Sequence, residues 1–112
     1  MKEEKPIHWV GTSLKDLLAF PDEVKREAGY QLHRVQNKLD PENWKPFQEI
    51  GAGVKEIRIR DISGIFRIMY VAKFTDKIYV LHAFQKKTQK TSPNDINIAK
   101  TRYKAIENET KS

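Results

Sequence analysis

The sequence predicts an α+β fold in which three consecutive antiparallel strands form a sheet and helices cover one of its faces. Three observations predict it: β-prone runs at 54–60, 65–74 and 78–86, turn residues between these runs, and amphipathic helical patterns on either side of them. A short strand near the N-terminus completes the predicted element order, β-α-α-β-β-β-α.

The turns between the runs predict how the strands pair. Residues 61–64 (DISG) separate the first two runs, and Thr75-Asp76 separates the second two. With a four-residue first loop and a two-residue second loop that pairs the residues on either side of it, Arg67 in the middle strand faces Arg58 on one neighbour and Phe84 on the other. The same registers pair Glu56 with Met69, Met69 with His82, Arg60 with Ile65, Ile65 with Lys86 and Phe74 with Lys77.

These registers divide the sheet into two faces. The apolar face, which we expect the helices to cover, contains Ile57, Ile59, Phe66, Ile68, Tyr70, Ala72, Tyr79, Leu81 and Ala83. The basic face contains Glu56, Arg58, Arg60, Arg67, Met69, His82, Phe84 and Lys86. Arg67 is the single charge in its strand, IFRIMYVA, where packing would favour an aliphatic residue. The basic face is therefore the candidate functional site.

The elements before the sheet follow from capping residues and apolar spacing. Residues 7–10 (IHWV) predict the first strand, Ser13 is suited to cap a short helix, and Pro21 is suited to the first turn of a longer one that ends at Asp40-Pro41. The longer helix carries one apolar stripe, formed by Val24, Ala28, Leu32, Val35 and Leu39.

The segment at 41–53 predicts a loop that Trp44 and Phe47 pin to the core. After the sheet, the stretch Ser92-Pro93-Asn94-Asp95 predicts a helix start, with serine as the cap, proline in the first position and aspartate in the third. This helix has an apolar face of Ile96, Ala99, Tyr103 and Ile106. Residues 107–112 are expected to fray.

Composition narrows the class of protein. The 112 residues predict a single domain spanning 1–112, and the absence of cysteine excludes a disulfide framework or a thiol nucleophile. No run is apolar enough to cross a bilayer and the N-terminus lacks a signal-peptide pattern, so we expect a cytoplasmic protein without membrane contact. The three histidines show no metal-ligand spacing, so no metal or cofactor is expected. The net charge of +6 favours a polyanionic partner.

Two stretches, GVKEIRIRDISGIFRIMYV and KIYVLHAFQKKTQKTSPNDINIAKTRY, resemble the phage Gp49-like, HigB-type branch of the RelE/ParE toxin superfamily. The most specific parts are E-x-R followed by G-x-x-R-x-x-Y across the first hairpin, and A-F-x-K-K-T after the last strand. The resemblance covers residues 5–106. It implies a RelE-like curved antiparallel sheet, in agreement with the fold class that the spacing predicts.

The resemblance also implies a function. Toxins of this type belong to type II toxin–antitoxin systems, cleave messenger RNA on the translating ribosome, and form a complex with a cognate helix-turn-helix, HigA-like antitoxin. Their active site combines an arginine of the central strand with basic residues after the last strand. Arg67 and Lys86 or Lys87 occupy those places, and Arg58 and Arg60 lie where related toxins carry basic residues.

Cleavage by the 2′-hydroxyl of the RNA requires a base, a group that stabilises the phosphorane charge, and an acid for the leaving oxygen. Arg67 suits charge stabilisation because guanidinium binds phosphate as a bidentate donor. His82 or Glu56 would serve as the base, and Lys86 or Lys87 as the acid. RNA binding is assigned to Arg58, Arg60, Phe84 through base stacking, and Lys90.

Two other classes of function stay open. Members of the same superfamily poison DNA gyrase, which needs no catalytic acid or base. A non-catalytic, phage-derived accessory protein that binds nucleic acid or protein is the third possibility.

Overall fold

The structure, a computed structural model, describes residues 4–74 and 76–110. Within these ranges it contains three helices and a five-stranded mixed sheet, which confirms the α+β class. The elements are β1 (Ile7–Trp9), α1 (Ser13–Leu18), α2 (Asp22–Gln36), β2 (Trp44–Pro46), β3 (Val54–Asp61), β4 (Gly64–Val71), β5 (Ile78–Lys86) and α3 (Pro93–Thr110). The strand order is β1-β5-β4-β3-β2.

Two features of the sheet correct the predicted topology. β1 pairs in parallel with β5, so the sheet is mixed and not purely antiparallel. The predicted loop at 41–53 contains β2, which pairs antiparallel with β3 and adds a strand to the element order. Its three residues are too few to show a period-two pattern. The strand is held by its partners, because Phe47 N–H donates to the Val54 carbonyl and Arg58 N–H donates to the Asn43 carbonyl.

The β3–β4 hairpin has the predicted register, with Arg58 opposite Arg67. The ladder continues to the pair Asp61 and Gly64, which leaves a loop of two residues where four were predicted. Gly64 has φ +141°, a backbone conformation that favours glycine at the end of this turn.

The β4–β5 hairpin has the predicted register only in part. Pairing runs as predicted from Ile65 with Lys86 to Met69 with His82, and then shifts by one residue, so that Tyr70 pairs with Val80. The extra residue is Leu81, which makes a β-bulge. The ladder ends at Val71, so the predicted pair of Phe74 and Lys77 is not part of it. Thr75, in the predicted loop, lies outside the described residues.

The bulge changes which side chains of β5 face α1 and α2. Before it, Ile78 and Val80 pack in the core on the apolar face, whereas Tyr79 and Leu81 pack on the side of the basic face. The prediction that Tyr79 and Leu81 belong to the apolar face is therefore wrong. A shift of one residue exchanges the two faces of a strand, and the bulge supplies that shift.

The helices lie on both sides of the sheet and not on one. α1 and α2 cover the apolar face in a core that includes Leu17, Phe20, Val24, Ala28, Leu32, Val35, Ile57, Phe66, Ile68 and Val80. α3 packs on the opposite side, in a second core of Ile50, Val54, Met69, Val71, Tyr79, Leu81, Phe84, Ala99, Tyr103 and Ile106. The predicted apolar residues of α3 are buried or partly buried as expected, but they cover part of the basic face.

The helix ends differ from prediction in three places. Thr12, not Ser13, occupies the cap position of α1, and the Ser13 hydroxyl donates to the Val80 carbonyl. α2 ends at Gln36, because Lys38 adopts φ 65° and leaves the helix, so Leu39 is exposed instead of extending the apolar stripe. α3 continues to Thr110, beyond the predicted start of fraying at 107, while residues 111–112 lie outside the described residues.

No helix within the described ranges has the length and apolarity to cross a membrane.

Candidate functional site

The sheet brings the predicted strand residues of the site into three neighbouring rows on the basic face. The first row is Lys45, Glu56, Met69 and His82; the second is Arg58, Arg67 and Phe84; the third is Arg60, Ile65 and Lys86. The rows arise because the β3–β4 register is regular and because the β5 bulge at Leu81 precedes His82, so that residues 82–86 keep the predicted pairing with β4. Arg67, on the central strand, lies in the middle of this arrangement.

Glu56 and Arg67 form a buried ion pair at the centre of the basic face. Glu56 has 0% and Arg67 5% of its surface exposed, and Arg67 Nε lies 3.5 Å from Glu56 Oε1. Arg67 Nη1 donates to the Phe66 carbonyl at 3.1 Å. Both carboxylate oxygens of Glu56 and Nε of Arg67 lack a hydrogen-bond partner among the described residues. Each buried polar group without a partner costs about 1–3 kcal/mol.

The environment of this pair shifts both pKa values. Burial raises the pKa of Glu56, and the cations Lys45, Arg67, Lys86 and Arg58 oppose that rise. Burial also lowers the pKa of Arg67, while the charge of Glu56 raises it. A guanidinium keeps its proton at physiological pH despite such a shift. Arg67 is thus a fixed buried cation beside a carboxylate that accepts protons more readily than usual.

Two lysines stand beside the pair. Lys45 Nζ lies 3.9 Å from Glu56 Oε1, with 46% of its side chain exposed. Lys86 is half-buried, and its pKa is lowered first by desolvation and next by the like charge of Arg67. Lys45 was not predicted as a site residue, because β2 is too short to show a strand pattern in the sequence. Its position opposite Glu56 becomes visible only once β2 is paired with β3.

His82 is held in place by a contact with Asp95, in the first turn of α3. Its Nε2 lies 2.7 Å from Asp95 Oδ1, and the second carboxylate oxygen of Asp95 accepts a hydrogen bond from Ser92 Oγ at 2.7 Å. His82 Nδ1 is buried and has no partner among the described residues. The His82 ring stacks on that of Phe84, with centroids 4.8 Å apart and an interplanar angle of 22°. Phe84 is itself buried, in contrast to the open stacking surface that its predicted role requires.

Asp95 was predicted as the third residue of the start of α3, and its contact with His82 was not predicted. The predicted serine cap is confirmed, since Asp95 N–H donates to Ser92 Oγ at 3.1 Å. The contact with His82 depends on α3 packing on the basic face, and the prediction placed α3 on the other side.

The remaining predicted residues are less closely associated with the centre. Arg58 and Arg60 are on the basic face and exposed. Lys87 and Lys90 follow β5 and are exposed, and neither is among the charges that shift the pKa values of Glu56, Arg67 and Lys86. Within residues 4–74 and 76–110, no cluster of three or more histidine, aspartate or glutamate side chains is arranged to hold a metal ion.

Comparison with known proteins identifies the family. A family model described as Phage derived protein Gp49-like (DUF891) matches residues 15–104, from within α1 to within α3. No curated protein matches the chain. The family match includes all three rows of the basic face, with Glu56, Arg67 and His82 among the matched residues. The chain belongs to the phage-derived Gp49-like family, a family of RelE/HigB-like toxins.

Proposed function

We propose that this chain is the toxin of a type II toxin–antitoxin system and that it cleaves messenger RNA on the ribosome with the basic face as its active site. The observation that carries the proposal is the buried pair of Glu56 and Arg67, in which both carboxylate oxygens and Arg67 Nε lack a hydrogen-bond partner among the described residues, although cations surround them. Family membership supports the toxin assignment. The composition, with a net charge of +6, agrees with a polyanionic target.

Arg67 is proposed to stabilise the charge that develops on the scissile phosphate. Its Nε contacts Glu56 at 3.5 Å without a hydrogen bond, so a phosphate oxygen competes for this donor on favourable terms. The half-exposed Lys45 and the exposed Arg58 and Arg60 would contact neighbouring phosphates, because they surround Arg67 on the same face. A buried donor acts in a low-dielectric setting, where charge stabilisation is stronger than in water.

Lys86 is the proposed acid for the leaving 5′-oxygen. Desolvation and the charge of Arg67 lower the pKa of Lys86, so its ammonium gives up a proton more readily than an exposed lysine. Glu56 and His82 are the two side chains of the face that can accept the proton of the 2′-hydroxyl. Burial raises the pKa of Glu56 towards neutral pH, and a general base is most effective when its pKa is near the working pH.

The proposed partner is an antitoxin with a helix-turn-helix domain that neutralises the toxin in a hetero-oligomer. Ribosomes and messenger RNA are the proposed targets, which places the activity in the cytoplasm. This part of the proposal rests on membership in a toxin family.

Primer extension on a reporter message in a reconstituted translation reaction tests the activity. We expect the wild type to produce discrete cuts within translated codons only when ribosomes are present. Arg67→Lys should abolish them, because lysine cannot bind the phosphate as a bidentate donor. The variant retains the positive charge beside Glu56, so the loss would not come from removing that charge. Arg26→Lys is the matched control, since it makes the same exchange at an exposed position on α2, away from the basic face, and should leave the cuts unchanged.

Two results would overturn the proposal. Intact messages from a protein that arrests growth and inhibits DNA supercoiling would identify a gyrase inhibitor. Intact messages from a protein whose expression without antitoxin leaves growth unchanged would identify a non-catalytic accessory protein.

A further inference from the structure

The contact between α3 and β5 is anchored at two points that both involve the bulge region. At the bulge, Arg102 Nη1 donates to the Leu81 carbonyl at 2.8 Å, and Arg102 Nη2 donates to Thr12 Oγ1 at 3.1 Å. One residue later along β5, His82 contacts Asp95 in the first turn of α3. The orientation of His82 is therefore set by the helix as well as by the sheet.

The Asp95 carboxylate is itself fixed at the start of α3. Ser92 Oγ donates to Asp95 Oδ2 at 2.7 Å, and Asp95 N–H donates back to Ser92 Oγ at 3.1 Å. This reciprocal arrangement leaves Oδ1 for His82 Nε2, at 2.7 Å. An ionised carboxylate can only accept hydrogen bonds, so Nε2 carries the hydrogen, and the lone pair of the neutral ring is on Nδ1.

The second nitrogen of the ring is the one that has no partner. His82 Nδ1 is buried without a hydrogen bond, although the rest of the side chain is held by Asp95 on one edge and by stacking on Phe84. Phe84 pairs directly with Arg67, so the His82 ring is a neighbour of the proposed phosphate site. Because Nδ1 is buried, a hydroxyl donor from a substrate reaches it only when binding displaces the side chains that cover it, and that donor would then satisfy Nδ1.

We propose that Asp95 is a positioning residue, which holds His82 with Nδ1 as the acceptor of the 2′-hydroxyl proton. The proposal rests on the proposed ribonuclease function and names the base of that reaction. The 2′-hydroxyl proton passes to Nδ1, and the electron pair of that O–H bond forms the new bond from 2′-oxygen to phosphorus. The bond from phosphorus to the 5′-oxygen breaks, and the leaving oxygen takes a proton from Lys86. The products are a 2′,3′-cyclic phosphate and a 5′-hydroxyl.

Asp95 then has two effects on this step. It selects the neutral form of His82 that has its lone pair on Nδ1, and it stabilises the imidazolium that forms when Nδ1 gains the proton. An asparagine at this position keeps the size of the side chain but loses both effects, because its amide can donate to Nε2 and carries no charge.

The experiment combines ring ¹⁵N NMR with single-turnover cleavage of ribosome-bound message. His8 and His33 are exposed and provide reference signals, and the His82 signals are identified by their loss in His82→Gln. We expect wild-type His82 to carry its hydrogen on Nε2 and Asp95→Asn to lose this fixed form. Cleavage by Asp95→Asn should be slower on the order of 100-fold, since a general base contributes about 10²–10⁴-fold. Affinity for the ribosome–message complex should stay within about twofold of wild type, because Asp95 supplies no phosphate contact.

Two further variants separate positioning from folding. Asp95→Glu retains a carboxylate and should recover part of the rate. Asn94→Ala changes the exposed neighbour on α3 and should match the wild type in both measurements. An unchanged rate for Asp95→Asn in a wild type that cleaves would overturn this proposal alone. A wild type that cuts no message overturns the proposed function and the acceptor role together, and the NMR spectrum then reports the orientation of His82 separately.

Discussion

On the apolar face, α1 and α2 close a core around Ile57, Phe66 and Ile68, side chains that need no polar partner. On the basic face, by contrast, α3 packs over part of the sheet, and Glu56 and Arg67 are buried with hydrogen-bonding atoms unused. Burial on the first face stabilises the protein, because apolar surface leaves water. Burial of Glu56 and Arg67 on the second costs stability, because their polar groups lose water without gaining full replacement. The apolar core under α3 offsets this cost, so the second face combines a stabilising part with the polar centre to which we assign the proposed function.

The largest expected effect is on the apolar face. Ile68→Asp places a charge at a fully buried position of the central strand and should destabilise the protein by at least ~4 kcal/mol, which unfolds a domain of ordinary stability. Ile62→Asp is the control, because Ile62 is fully exposed in the β3–β4 turn and should tolerate the charge. Thermal melting followed by circular dichroism measures both. A normal melting transition for Ile68→Asp would mean that the faces are assigned the wrong way round.

The next largest effect is expected on the basic face, when its buried charged residues are replaced by apolar ones. Arg67→Met alone leaves the Glu56 carboxylate buried without its nearest cation and should destabilise the protein by about 3 kcal/mol. Glu56→Met combined with Arg67→Met should recover that loss, because apolar residues of similar volume replace both charges. Urea denaturation measures the four stabilities of this double-mutant cycle. A double variant no more stable than Arg67→Met would contradict the view that this pair is kept at a cost to stability.

The smallest expected effect is a pH dependence from Glu56. Burial raises its folded-state pKa above the ordinary value of 4.5, so between these two pKa values the folded state holds more protons than the unfolded state. The contribution of Glu56 to stability is therefore fully present below the unfolded pKa and decreases as the pH rises through the folded pKa. The slope reaches at most about 1.4 kcal/mol per pH unit. Glu56→Gln should remove this slope, and equal pH dependence of unfolding in both proteins would contradict the raised pKa.

Most of the strand pairing that positions the site residues was predictable from the sequence. The alternation of Ile57 and Ile59 with charged residues set the β3–β4 register, and the position of Arg67 in an apolar strand marked the central residue of the basic face. The predicted two-residue loop also placed His82 opposite Met69 and Phe84 opposite Arg67, and both pairs form although the predicted pair of Phe74 and Lys77 does not and the ladder shifts at Leu81. The β3–β4 register and the position of Arg67 were readable because each depends on a local pattern with a fixed period.

The parts that were not predicted depend on contacts between distant segments. Apart from His82, the run IYVLHAF in β5 is apolar on both sides of the sheet, so its composition contains no sign of the bulge at Leu81. The Lys45 position depends on a three-residue strand, and the contact between Asp95 and His82 depends on where α3 packs. How deeply Glu56 and Arg67 are buried was not predictable either, because burial depends on the packing of segments that are distant in the sequence.

The bulge at Leu81 has a consequence for how this fold tolerates insertions and deletions. The ladder on either side pairs without this residue, since Val80 is already opposite Tyr70 and His82 opposite Met69. Deleting Leu81 would therefore preserve the strand register. Deleting Val80 instead would move Leu81 to the position opposite Tyr70 and turn its side chain to the apolar face of the sheet. What the deletion would remove is the buried side chain under α3 and the carbonyl that accepts from Arg102. The one extra residue of β5 thus supplies both a buried side chain and a backbone acceptor for α3 without changing how the strands pair.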